Sequence, residues 1–121
     1  MKPFFVHLFH ILFVGSLFLY VGTQRTNIPK FFYPILLGLA VIIFLYHGYK
    51  TYLKLSSGKN PWINLIHMFI IAPTLLVIGL NKDSTPRYYF EILLMLAFAS
   101  IGYHGYYMVS ETFSPPPSPK K

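Results

Sequence analysis

Four long apolar runs, roughly Phe4 to Gly22, Phe31 to Leu53, Pro61 to Leu80 and Tyr88 to Val109, divide the chain, and none alternates like a half-buried strand. Each is close to the ~20 residues that a helix rising about 1.5 Å per residue needs to cross a ~30 Å hydrocarbon core. The segments between them, "TQRTNIPK", "KLSSGKN" and "NKDSTPR", carry the Pro, Gly, Asn and Ser that stop helices and make turns. Backbone groups in lipid must be satisfied within their own segment, so four separate spans imply four transmembrane helices with short loops joining antiparallel neighbours. Lys2 ahead of the first run also fits a signal peptide, but the stretch around Val21, Gly22 and Thr23 lacks a small-x-small cleavage site, so this run is expected to be retained. Pro34 and Pro73 read as early-helix residues or local kinks.

A shift of 57 residues aligns the second half of the chain with the first without a gap. "YHGY" at 46–49 falls on "YHGY" at 103–106, His10 on His67, Gly22 on Gly79, Pro29 on Pro86 and Lys30 on Arg87. The expectation is an all-α membrane protein of two tandem parallel helical-hairpin repeats, 1–53 and 61–110, joined by a loop at 54–60 and followed by a Pro-rich basic tail at 111–121. Each copy holds two spans and enters from the same side, so a pseudo-two-fold axis should run along the membrane normal.

The repeat sets the depth of the histidines. His10 lies near the start of the first span and His47 near the end of the second, both roughly 9 Å inside one face, and His67 with His104 repeats that placement. His7 sits one turn nearer the surface and aligns with Asn64. At 100° per residue His67 shares a stripe with Asn60, Asn64, Ile71, Thr74 and Asn81; His10 with His7, Val14, Leu17, Val21 and Gln24; His47 with Leu36, Ala40 and Ile43; and His104 with Leu93, Ala97 and Ser100. Small and polar residues gather on these faces, as where helices meet in lipid. The four rings are therefore expected to converge on the bundle axis.

Composition supports lipid as the solvent, since 55% of residues are hydrophobic and only 11% charged. The net charge of +7 is scattered between apolar runs, which favours lipid headgroups over nucleic acid as its partner. Six of the cations, Lys2, Lys50, Lys54, Lys59, Lys120 and Lys121, fall on the side of the termini against four, Arg25, Lys30, Lys82 and Arg87, on the other, so the positive-inside rule puts both termini in the cytoplasm. With no cysteine there is no disulfide or thiolate chemistry. Walker, GxGxxG and GxSxG motifs are absent, and Glu91, the one acid within a span, suits a helix N-terminus, so no catalytic residue is indicated.

Three readings of the histidines stay open. The sharpest is a haem or transition-metal site ligated by His10, His47, His67 and His104, with Gly48 and Gly105 leaving room for a macrocycle. A second is an interhelical hydrogen-bond network joining the histidines, Asn64 and the tyrosines, with Tyr46, Tyr49, Tyr103 and Tyr106 as interfacial aromatics in a structural scaffold. The third is a proton or cation channel, which would need a homo-oligomer because the stripes turn to Leu, Val and Ile beyond the histidine layer. The tail matches a PxxPxK pattern of SH3-type ligands through Pro116, Pro119 and Lys121, and Ser118 precedes a proline as in phosphorylation sites.

The pattern "HMFIIAPTLLVIGLNKDSTP" followed by "YHGY", carried by His67, Pro73, Leu75, Leu76, Gly79, Pro86 and His104, resembles small helical-hairpin membrane proteins encoded by large DNA viruses of algae and amoebae. The first half departs from it, with Ser16 where the second has Pro73. The resemblance implies a viral or host membrane location and no mechanism.

Overall fold

The chain turns back on itself three times, and each turn is cut by a recognisable stop. In the computed structural model, which describes residues 3–113, four helices are long and apolar enough to cross a membrane: α1 (Pro3–Asn27), α2 (Phe32–Ser56), α3 (Trp62–Ser84) and α4 (Arg87–Phe113). No strand occurs among the described residues. Each helix runs further than its apolar letters. Short 3-10 turns at Arg25–Asn27 and Lys82–Ser84 extend α1 and α3 into the polar segments, and α4 continues to Phe113, three residues into the stretch read as tail. The SH3-type and Ser118 motifs lie outside the described residues.

The turns after α1 and α3 are built alike. Arg25 and Lys82, 57 apart, stop the α-helix at φ 56° and 53°, the left-handed side that L side chains rarely adopt. Ile28 and Thr85 are then extended, as residues preceding a proline must be. Pro29 and Pro86 finish the turn, their carbonyls accepting from Phe32 and Tyr89 at 3.0 and 3.1 Å. Pro34 occupies the first turn of α2, where a missing N–H costs no helical bond. The loop after α2 is different: Ser57 and Gly58 close its C-terminus, with Gly58 at φ 72°.

The principal partners are not the two helices within each expected hairpin repeat. α1 packs along α4 and α2 along α3, and α3 also meets α4. Close approach decides this pairing. A Cβ added to Gly22 would sit 2.8 Å from Leu94 Cγ, and one added to Gly79 would sit 2.6 Å from Leu37 Cγ and 3.0 Å from the Tyr33 carbonyl. Leu37 and Leu94 are themselves 57 apart, so the two crossings are equivalent positions of the two halves.

Around these crossings the bundle is filled. Phe18, Val21, Tyr33, Leu36, Leu75, Ile78, Phe90 and Leu93 are all but sealed from solvent. At the surface of this end Asp83 accepts from the Tyr33 hydroxyl at 2.9 Å and pairs with Lys30. Towards the termini the packing thins. The outward faces remain apolar throughout, with Phe13, Ile42, Leu45, Phe69 and Phe98 exposed.

Gly79→Ala should lower the unfolding free energy in detergent by about 1–3 kcal/mol, because both a side chain and a backbone oxygen must move. Gly38→Ala, with nothing within 4 Å of the added carbon, should leave thermal unfolding unchanged in the same assay.

Candidate functional site: a histidine-capped cavity

The open half of the bundle holds the histidines, and local breaks in α1 and α3 begin at two of them, His10 and His67, whereas His47 and His104 stand on unbroken helix. α1 widens into a π-turn at His10–Gly15 and α3 into one at His67–Ile71. Such insertions are frequent at functional sites. Beyond the π-turns the buried face takes in Phe18 and Leu75, which lie off the stripes predicted from a regular helix, beside Val21 and Thr74, which lie on them. Pro73, just after the second π-turn, lacks an N–H to complete a regular ladder. Ser16 holds the same place after the first π-turn, so proline is not its sole cause.

The rings meet as two stacks. His10 lies over His104 with centroids 4.2 Å apart, and His67 lies over His47 at 3.9 Å. The stacks face each other through His10 and His67, 6.5 Å apart and nearly perpendicular. Every Nδ1 is engaged. Those of His10 and His67 donate to the carbonyls of Val6 and Ile63 one turn back, at 2.7 and 2.8 Å. His47 Nδ1 accepts from Asn64 Nδ2 at 2.7 Å, and His104 Nδ1 shares a proton with His7 Nδ1 at 2.8 Å. The Glu111 carboxylate, 3.4 Å from His7 Nε2, favours the proton on that nitrogen of neutral His7, so His104 is the donor in the shared bond. His7 and Asn64 thus each bond the Nδ1 of a histidine on the adjoining helix, His7 as acceptor and Asn64 as donor.

Convergence is therefore of a different kind from four ligands around one centre. Among the described residues no group of three or more His, Asp or Glu side chains is arranged to hold a metal ion. Gly48 and Gly105 do not open a slot for a macrocycle: they face neighbouring helices, where an added Cβ would touch Met68 at 3.5 Å and Ile11 at 4.0 Å. Tyr46, Tyr49 and Tyr106 are exposed on the outer surface. Tyr103 turns inward, edge-on to His104 at 5.1 Å and to Trp62 at 6.1 Å.

Beneath the rings lies a cavity of about 380 Å³. All four core histidines line it, together with Ser100, Tyr103 and an apolar wall that includes Val14, Phe18, Leu39, Ile43, Ile66, Ile71 and Leu96. Trp62, Phe9 and Ile63 complete its rim and were not legible as site residues, since an apolar residue in an apolar span carries no periodic mark. Ser100 lay on the His104 stripe, which is the signal that could have found it. Asn64 Oδ1 is the one buried side-chain oxygen or nitrogen without a partner among the described residues. No protein-family model, curated protein or solved structure matches the chain, so any functional reading stands on this geometry alone.

Asn64→His should be tolerated with little loss of stability, because His7 fills the equivalent place opposite His104. Asn64→Leu should cost about 1–3 kcal/mol in detergent unfolding, since it strands the Nδ1 of half-buried His47.

Proposed function

We propose that the protein is a multi-pass integral membrane protein, built from two copies of one helical hairpin, that holds a small apolar guest in an intramembrane vestibule capped by imidazoles. The cavity lined by His10, His47, His67 and His104 carries this reading. Its volume and its lining of apolar walls with a few convergent polar groups fit the general character of ligand sites. The four helices of 23 to 27 residues and their apolar outer surface support the membrane setting. Duplication is supported by what recurs at a spacing of 57: the π-turns, the positive-φ stops, the glycine crossings and the stacked rings. The termini and the vestibule belong to the cytoplasmic leaflet on the six-to-four balance of cations. The viral resemblance adds a viral or host membrane as the setting.

A channel through one bundle is disfavoured by Val21, Leu36, Leu75, Ile78 and Leu93, which leave no exposed path beyond the cavity. A haem is disfavoured by the stacking, which leaves no planar slot between the rings.

Native mass spectrometry of the protein released from lipid nanodiscs should show a guest that stays bound when bulk lipid is stripped. Ser100→Phe, which fills the cavity, should lose that guest while keeping its unfolding temperature; equal retention by both proteins would remove the vestibule as the binding site. An absorption spectrum with a Soret band, or stoichiometric metal by elemental analysis, would replace this reading with the ligated cofactor.

A further inference from the structure

The hydrogen bonds behind the rings determine what the rings offer to the cavity. A carbonyl can only accept, so the bonds from His10 and His67 to Val6 and Ile63 fix the proton on Nδ1 and leave a lone pair on Nε2 in both neutral rings. His47 receives its bond on Nδ1 from Asn64, so its proton sits on Nε2. With the Nδ1 edges occupied, the Nε2 edges are what these cavity-lining rings have left to present. None of these Nε2 atoms is sealed away without a partner, so they remain reachable. His67 and His47 are stacked at 3.9 Å, which sets an acceptor beside a donor.

We infer that the guest is a neutral, hydroxyl-bearing amphiphile, an alcohol or phenol on an apolar body, whose O–H donates to His67 or His10 Nε2 while its oxygen accepts from His47 Nε2–H. A hydroxyl satisfies both neighbouring rings with one atom. An ether or ketone satisfies only His47, and leaves the acceptors of His10 and His67 unpaired in an apolar cavity. Charged guests are disfavoured because Lys, Arg, Asp and Glu are all missing from the lining, so a carboxylate or ammonium would be desolvated without a counter-charge. A metal ion would meet the same penalty, since the Nε2 lone pairs of His10, His67 and His104 belong to neutral rings, and no group of three or more such side chains among the described residues is arranged to hold one. The volume of about 380 Å³ accommodates an apolar body as well as the head. This inference rests on the vestibule reading and names the chemistry of its occupant.

Trp62, the single tryptophan of the chain, borders the cavity and reports its occupancy. The test uses the full chain in nanodiscs, titrated with 1-dodecanol or with its methyl ether at matched mole fractions in the bilayer. Dodecanol should shift Trp62 emission saturably, and the ether should bind about tenfold more weakly or worse, the loss expected for one buried hydrogen bond. His67→Phe should narrow that difference. Equal saturation by alcohol and ether would overturn the hydroxyl assignment while leaving the vestibule intact. If neither saturates, the vestibule reading fails and takes the assignment with it. Zinc or copper shifting the emission, with the alcohol unable to compete, would overturn it in favour of a histidine-ligated metal site.

Discussion

The architecture depends on how closely two helices can approach where no side chain separates them. Lipid supplies no hydrophobic force to press helices together, so association in a bilayer relies on packing, and packing is tightest where a glycine admits its neighbour. Gly22 under Leu94 and Gly79 under Leu37 supply two such points, both near the turns that end α1 and α3. From there Leu36, Leu75, Ile78 and Leu93 fill the interior completely. Gly15 extends the first contact against Ile101, whereas Ala72 stands in its place on the other side. Beyond these positions large side chains hold the helix pairs apart, and the interior widens into the cavity.

Histidine rings in that widened half obey a second constraint: a polar group away from water must find a partner. Two of the four rings solve it locally, by bonding the carbonyl one turn back on their own helix. The other two rely on residues of the adjoining helix, His7 for His104 and Asn64 for His47. An amide cannot change its charge and an imidazole can, so the two ends of the layer are chemically unequal although their geometry is matched. The exposed Glu111 beside His7 sharpens the difference, since the corresponding place opposite Asn64 is Lys54.

Much of this was legible in the letters. The four apolar runs marked the helices to within a turn or so, and the spacing of 57 aligned His10 with His67 and His7 with Asn64 ahead of any knowledge of the fold. Leu36, Ala40, Leu93 and Ala97 were on the stripes that proved buried. Three things were not legible. The π-turns are invisible because "HILFVG" and "HMFII" contain nothing a regular helix would refuse, and Phe18 and Leu75 lie off the predicted stripes yet are buried. The pairing of α1 with α4 was not legible because short loops suggest adjacent partners, while the glycine contact that marks it, Gly22 with Leu94, links residues 72 positions apart. Equal depth predicts a common level, which the four rings share, but depth does not fix the direction of a ring. Stacking is what four flat, partly paired rings adopt in a confined layer.

The same thin packing governs how an occupant would arrive. Phe9, Ile42 and Trp62 each contribute to the cavity wall and are at least half exposed on the outer side. In the proposed bilayer setting, the barrier between cavity and hydrocarbon is therefore one side chain thick in places. Rotation of an exposed side chain takes picoseconds to nanoseconds, far less than a hinge motion of whole helices. A guest dissolved in the bilayer could enter sideways without disturbing the glycine crossings, which lie in the other half of the bundle. The closed half can then stay rigid and keep the imidazoles in register, while the open half exchanges its contents. A bundle packed evenly from end to end would be more stable, and it would leave the histidines with no face to present.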